Sequence, residues 1–91
     1  MEQIRAAMAG TLESSDCMVT IFPLEEERVQ YDIQSIVLQQ YGSQIRKVAE
    51  NTVKDMGISG IELKIQDRGA LDCVIAARIE TAIRRAKGEA A

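Results

Sequence analysis

The sequence has 91 residues, of which 46% are hydrophobic and 27% charged, a composition typical of one small folded domain. Fourteen acidic and eleven basic side chains give a net charge of −3, which argues against a nucleic-acid binder because phosphate neutralisation needs a basic excess. The chain contains no histidine, so it lacks the usual general base and the commonest metal ligand. A self-sufficient hydrolase and a zinc enzyme are therefore disfavoured, and we expect a single domain over residues 1–91.

Short apolar runs and a plain N-terminus predict a cytoplasmic protein without a membrane segment. The longest apolar run, Cys73 to Ala77, has five residues, whereas a membrane-spanning helix needs about 20. The first residues lack the basic and long apolar regions of a signal peptide. In a reducing compartment Cys17 and Cys73 are expected to be free thiols, and two isolated cysteines do not make a metal site.

The first 16 residues carry few large apolar side chains and end in the polar stretch Thr11–Asp16. We predict a surface segment here, with a short helical turn that places Ile4 and Met8 on one face. Residues 17–22 are apolar and β-branched, which predicts a strand that ends at Pro23.

A second strand is predicted over residues 29–34, where apolar and polar side chains alternate. Because it follows the first strand closely, an antiparallel hairpin is the simplest pairing. The clearest helix comes next, since apolar residues recur every three or four positions from Leu38 to Met56. Ser35 is the expected N-cap, and Gly57 is the expected left-handed residue after the last turn.

Residues 61–66 alternate again and predict a third strand, followed by a turn at residues 67–69. A second amphipathic helix over residues 71–86 is ended by Gly88. The order β-β-α-β-α predicts a small two-layer α+β sandwich. Its mainly antiparallel, three-stranded sheet is covered on one face by both helices and is open to water on the other.

No residue pattern forms a self-contained catalytic site. Ser14 and Ser15 offer hydroxyls in a polar turn, but no histidine is present to activate them, and the lysines fit solvated positions. The acidic run at residues 25–27 fits a solvated loop, and Asp67 and Asp72 fit the N-terminal end of the second helix. No glycine-rich nucleotide-binding motif occurs. These residues alone favour a domain that serves other proteins.

Two stretches carry a resemblance to a known family. The first is Ala-Gly-Thr-Leu-Glu-Ser-Ser-Asp at residues 9–16, which continues into residues 17–21. The second is Asp-Arg-Gly-Ala-Leu-Asp-Cys at residues 67–73, followed by Ala-Arg-Ile-Glu at residues 77–80. In sequence, order and spacing both stretches resemble the acyl carrier (gamma) subunit of citrate lyase, and the resemblance covers nearly the whole chain.

This resemblance implies a covalent site and a carrier role. The serine after Thr-Leu-Glu, here Ser14, is expected to carry 2′-(5″-phosphoribosyl)-3′-dephospho-CoA through a phosphodiester. Glycine is expected after the modified serine in many relatives, whereas this chain has Ser15, which is therefore the alternative site. The arm's thiol is expected to hold acetyl and citryl thioesters while citrate is cleaved to acetate and oxaloacetate.

The implied partners perform the chemistry. An alpha subunit exchanges the acetyl group for citrate, a beta subunit cleaves the citryl group, and a prosthetic-group transferase attaches the arm. The carrier itself is then non-catalytic. Two alternatives stay open at this stage: the acyl carrier subunit of malonate decarboxylase, whose serine is expected within Gly-Ser-Gly-Asp, and an unmodified protein-interaction domain in which Ser14 belongs only to a turn.

Overall fold

A computed structural model describes residues 3–89 and contains four strands and two helices. Their order is β1 (Ala7–Gly10), β2 (Cys17–Pro23), β3 (Val29–Ser35), α1 (Leu38–Met56), β4 (Ile61–Asp67) and α2 (Asp72–Ala86). The strands form one sheet in the order β1-β2-β4-β3. The β1–β2 and β2–β4 pairs are antiparallel, whereas β3 and β4 are parallel. The predicted α+β class is confirmed, and the number and order of its strands differ from the prediction.

The additional strand is β1, which replaces the predicted helical turn in the N-terminal segment. It pairs with β2 from Ala7 opposite Ile21 to Gly10 opposite Met18. Ala9 is buried and Ile4 packs against the core, whereas Met8 is 55% exposed, so Ile4 and Met8 do not share a buried face. The strand was not predicted because it consists mainly of small residues, which pack below α2. Strands are usually recognised by β-branched and aromatic residues, and β1 has none.

The predicted hairpin between β2 and β3 is wrong, because β4 lies between these strands. β4 is one of two inner strands and its residues alternate between buried and half-buried, while β3 forms a more exposed edge. The loop after β2 is held by the start of β4: Leu24 N–H donates to the Gly60 carbonyl at 2.8 Å, and Ile61 N–H donates to the Arg28 carbonyl at 3.1 Å. Consecutive strands therefore flank a third strand instead of pairing with each other.

Both helices pack on one face of the sheet, α2 over β1 and β2 and α1 over β3. Apolar side chains from both layers form the core between them, and the largest fully buried ones are Ile21, Ile61, Leu63, Ile65, Ile75, Ile79 and Ile83. Neither helix in the described residues is long and apolar enough to cross a membrane.

Of the two predicted ends of α1, the C-terminal one is confirmed and the N-terminal one is wrong. Gly57 adopts the left-handed conformation after the last turn, with φ of 65°. At the other end Val37 is the N-cap without a side-chain hydrogen bond, and Ser35 closes β3 instead. Its hydroxyl donates to Asp67 Oδ2 at 2.7 Å and accepts from Val37 N–H at 3.1 Å. Ser35 therefore joins the ends of two parallel strands.

The strand register gathers several loops at one end of the sheet. Asp67, the last residue of β4, lies opposite Cys17 at the start of β2 and opposite Ser35 at the end of β3. Both helices begin just after these strand ends. We call this edge of the domain the Asp67 end. It brings together the β1–β2 loop, the start of α1 and the β4–α2 connection.

Candidate functional site

The β1–β2 loop, residues 11–16, carries the predicted attachment residue. Thr11 N–H donates to the Cys17 carbonyl at 3.2 Å and closes the hairpin, and Asp16 N–H donates to the Glu13 carbonyl at 3.2 Å inside it. Ser14 and Ser15 are both exposed at the tip. The structure thus places Ser14 in an exposed turn, with its side chain open to solvent.

The Asp16 carboxylate holds the loop in place. It accepts hydrogen bonds from the Thr11 hydroxyl and the Cys17 N–H, both at 2.7 Å. Arg78 on α2 contacts both carboxylate oxygens, with Nε 3.0 Å from Oδ1 and Nη2 2.9 Å from Oδ2. These hydrogen bonds, foremost the one from Arg78, lower the pKa of Asp16 to about 2. The carboxylate therefore stays charged at neutral pH and continues to accept the hydrogen bonds that order the loop.

Main-chain hydrogen bonds tie the same loop to the β4–α2 connection. Ser15 N–H donates to the Arg68 carbonyl at 2.9 Å, and Arg68 N–H donates to the Asp16 carbonyl at 2.9 Å. The buried Asp67 carboxylate orders the connection in turn, because it accepts from Gly69 N–H at 3.1 Å and from Ala70 N–H at 2.9 Å. The two stretches that carried the family resemblance are therefore in direct contact.

Two backbone positions in the hairpin lie in the left-handed region. Gly10 has φ of 99°, and a Cβ there would lie 1.9 Å from the Cys17 carbonyl oxygen, so only glycine fits. Ser15 has φ of 63°, a conformation that favours glycine. This backbone angle is a physical reason for glycine after the modified serine, the residue that the resemblance leads one to expect.

Other candidate groups lie away from this loop. Lys54 belongs to the last turn of α1, and Lys87 Nζ lies 3.5 Å from the Met56 carbonyl, so both are at the end opposite Ser14. The acidic residues 25–27 occupy the β2–β3 loop at that opposite end. Within residues 3–89 no cluster of three or more potential ligands is arranged to hold a metal ion.

The two cysteines are free thiols, as predicted. Burial raises the pKa of the Cys17 thiol to about 12, with smaller contributions from the Asp16 and Asp67 carboxylates. Cys17 is therefore an inert core residue. Cys73 is exposed near the start of α2.

The sequence predicted an exposed turn at Ser14, which the structure shows, but Arg78 was not predicted as the residue that holds this loop. Arg78 stands 62 residues after Asp16, and no local spacing connects them. A signal existed in the helical pattern, because Arg78 stands three residues after Ile75 and four before Ala82, both of which are buried. An arginine on the same side of the helix as buried residues favours an acidic partner nearby.

Comparison with known proteins identifies the class of protein. A family model described as malonate decarboxylase delta subunit (MdcD), of the acyl carrier type, matches residues 4–86. The chain also has the fold of a chain in the crystal structure of a Pseudomonas malonate decarboxylase hetero-tetramer in complex with malonate. The TM-score is 0.81 over 93% of this chain and 87% of that one, at 20% sequence identity. Sequence and fold thus define a small acyl carrier protein.

Curated relatives narrow the class to one family. The citrate lyase acyl carrier protein of Clostridium perfringens (strain 13 / Type A) is 46% identical over 86 residues, which cover 94% of this chain and 85% of the relative. That of Yersinia enterocolitica serotype O:8 is 47% identical over 89 residues, which cover 98% of this chain and 92% of the relative. The chain belongs to the citrate lyase acyl carrier protein family.

Proposed function

We propose that Ser14 is the attachment residue of this acyl carrier and that its hydroxyl oxygen forms the phosphodiester to 2′-(5″-phosphoribosyl)-3′-dephospho-CoA. The observation that carries the proposal is the held loop: an exposed serine lies beside Ser15 and Asp16, which are both hydrogen-bonded to the rest of the domain. An exposed hydroxyl on an ordered base suits a covalent tether, because a transferase meets one defined conformation.

The residues of this loop fit such a group. The Ser14 side chain is exposed, so a bulky phosphodiester displaces no core contact. The Asp16 carboxylate, which would repel a phosphate, is neutralised by the two-point contact with Arg78. When bound, the arm supplies a thiol that carries acyl groups as thioesters. The role of this chain is to fix the other end of the arm on a small rigid body.

The bond-making steps belong to partner subunits in this proposal. An alpha subunit transfers acyl groups to and from the arm, a beta subunit cleaves the citryl group, and a transferase attaches the arm. The chain lacks histidine, and Lys54 and Lys87 lie at the opposite end from Ser14, so none of these groups is placed to act as a base there. We therefore propose a non-catalytic carrier, whose tether raises the local concentration of the acyl group at two active sites.

The test is reconstitution of citrate cleavage from the carrier, its transferase and the alpha and beta subunits, with oxaloacetate formation as the readout. Ser14→Ala is expected to abolish cleavage while its circular dichroism spectrum and melting temperature remain those of the unmodified chain. Ser15→Ala is the matched control and is expected to support cleavage. Cleavage with Ser14→Ala, or its loss with Ser15→Ala alone, would move the attachment site.

A carrier for malonate decarboxylase is the second candidate, favoured by the family model and by the shared fold. The identity of 46% to a citrate lyase carrier, against 20% to the malonate decarboxylase chain, favours citrate lyase. Supplying the loaded carrier separately to the other subunits of each enzyme distinguishes the two. We expect turnover with the citrate lyase subunits and none with those of malonate decarboxylase.

A further inference from the structure

An open pocket of about 580 Å³ lies at the Asp67 end, between the N-terminal ends of α1 and α2. Val37, Tyr41 and Ile45 line it from the α1 side, and Leu71 and Cys73 line it from the α2 side. Gln44 Nε2 donates to Asp72 Oδ2 at 2.7 Å and bridges the two helices beside it. The pocket is therefore a cleft between the two helix starts.

The pocket begins where the Ser14 loop is attached. Ser15 N–H donates to the Arg68 carbonyl, and the next residue, Gly69, already lines the pocket. A Cβ at Gly69 would meet only Ile36 Cδ1, at 3.9 Å, so this part of the rim has free space. A group attached to Ser14 thus starts at the same end of the sheet as the pocket, from the loop that is hydrogen-bonded to Arg68.

The lining suits a slender, uncharged and partly apolar group, because the carboxyl groups of Asp67 and Asp72 also line the pocket and would repel an anionic one. Leu71 and Tyr41 are 71% and 52% exposed, so apolar surface at the pocket is left open to water. A cleft of this volume with a few polar groups among apolar ones lies within the range of about 300–1,000 Å³ typical of small-molecule sites. A protein partner needs a broader contact of about 800 Å² on each side, which a cleft between two helix starts does not supply by itself.

We propose that this pocket holds the thiol end of the Ser14-linked arm, with its acetyl group, while the carrier is between partner subunits. The inference rests on the proposed attachment at Ser14. The occupant is the arm because the pocket lies at the same end of the sheet as Ser14, and a tethered group is present there at high effective concentration. The thiol end is the part that fits, because it is uncharged, whereas the phosphates of the arm would meet the carboxyl groups of Asp67 and Asp72. Leu71 and Tyr41 cover the apolar part of the arm and reduce contact of the thiol end with water.

The first experiment compares amide NMR spectra of the loaded and unloaded carrier, after intact mass has shown that the arm is present. Pocket occupancy predicts resonance shifts at Tyr41, Leu71 and Cys73 in addition to those near Ser14. Shifts confined to residues 11–16 and their direct neighbours overturn the pocket inference but leave the attachment intact. A missing mass addition overturns the attachment itself. Shifts at Tyr41 and Leu71 that require an added alpha or beta subunit indicate a docking surface and also overturn the inference.

The second experiment measures how fast the arm's thiol reacts with a disulfide reagent. All variants carry Cys73→Ser, and Cys17 does not interfere because it is buried. Leu71→Ser removes the apolar wall and is expected to fold, since Leu71 is the extended N-cap of α2, a position that favours serine. Met8→Ser, at a residue 55% exposed on β1, is the matched control away from the pocket.

If the pocket holds the arm for nine-tenths of the time and shields its thiol, a Leu71→Ser change that releases the arm fully speeds the reaction about tenfold, and partial release gives a smaller increase. Met8→Ser is expected to leave the rate unchanged. Equal rates in the parent, Leu71→Ser and Met8→Ser proteins overturn the pocket inference.

Discussion

Arg78 and Asp16 form a two-point ion pair across 62 residues of sequence, with nitrogen–oxygen distances of 3.0 and 2.9 Å. The pair joins α2 to the last residue of the Ser14 loop, and the Thr11 hydroxyl shares the same carboxylate. Because a guanidinium fits a carboxylate in a defined plane, the contact fixes direction as well as distance. The helix therefore orients the loop that carries the proposed attachment residue.

Replacing the guanidinium tests this relationship. In Arg78→Gln the pKa of Asp16 is expected to rise from about 2 towards its ordinary value of 3.8, because the largest cause of the shift is removed. A carboxyl ¹³C NMR titration measures it, and amide hydrogen exchange in residues 11–16 is expected to accelerate. Arg84→Gln, an exposed position in the last turn of α2, is the control. An unchanged Asp16 pKa in Arg78→Gln contradicts the assignment.

The same pair gives stability a defined pH dependence. Since the folded-state pKa of Asp16 lies below 3.8, the pair stabilises the fold fully above about pH 4, and this contribution is lost as the pH falls towards about 2. Denaturation midpoints of the parent protein and Arg78→Gln are expected to converge over this interval. A difference that stays constant down to pH 2 would show that the lost stability has another origin.

Substitution of glycine by alanine is expected to lower the stability of the fold much more at Gly10 than at Gly57. Gly10→Ala forces a Cβ to within 1.9 Å of the Cys17 carbonyl oxygen, so we expect a loss in the free energy of unfolding of more than about 3 kcal/mol. At Gly57 a Cβ meets nothing within 4 Å, and Gly57→Ala pays only the left-handed backbone cost of about 1 kcal/mol. Urea denaturation measures both, and equal losses contradict the structure at Gly10.

Ser15 predicts a stabilising substitution in the proposed functional loop. Ser15→Gly relieves a left-handed backbone with φ of 63° and is expected to stabilise the fold by about 1 kcal/mol. Ser43→Gly, in the interior of α1, is the control with the opposite expected sign, a destabilisation of about 0.5 kcal/mol. Thermal melts distinguish the signs. Destabilisation by Ser15→Gly would show that the turn does not hold this conformation in solution.

The two thiols predict selective labelling. Cys73 is exposed and is expected to react with iodoacetamide at pH 8, whereas Cys17 is buried with a pKa of about 12 and is expected to react only after unfolding. Mass spectrometry of the folded chain without its arm should therefore find one label, on the peptide that contains Cys73. Rapid native labelling of Cys17 would contradict its place below α2.

Much of the fold follows from local pattern. The alternation of residues 61–66 and the helical repeat of residues 38–56 each require one buried face, so these elements were predictable. The order of the strands in the sheet was not predictable, because alternation shows that a strand has a buried face but does not show which strand pairs with it. β4 lies between β2 and β3 because α1 returns the chain to pair parallel with β3. β1 could not be predicted from its residues, because alanine has a low strand preference and fits here through its small size below α2.

The candidate site divides in the same way. The exposed turn around Ser14 was predictable from polar residues that precede a strand. Its anchors were not, because Arg68 and Arg78 are distant in sequence and reach the loop only through the fold. The left-handed backbone at Ser15 could not be predicted, because serine rarely adopts this conformation. A glycine at this position would have indicated the turn.

The measurement that tests the central claim most directly is the mass of this chain purified from its producing bacterium during growth on citrate. Trypsin releases residues 6–28 as one peptide that contains both Ser14 and Ser15, so fragmentation of that peptide locates any modification. We predict an added mass equal to phosphoribosyl-dephospho-CoA on Ser14. An unmodified chain under these conditions, or the added mass on Ser15, would contradict the proposed attachment.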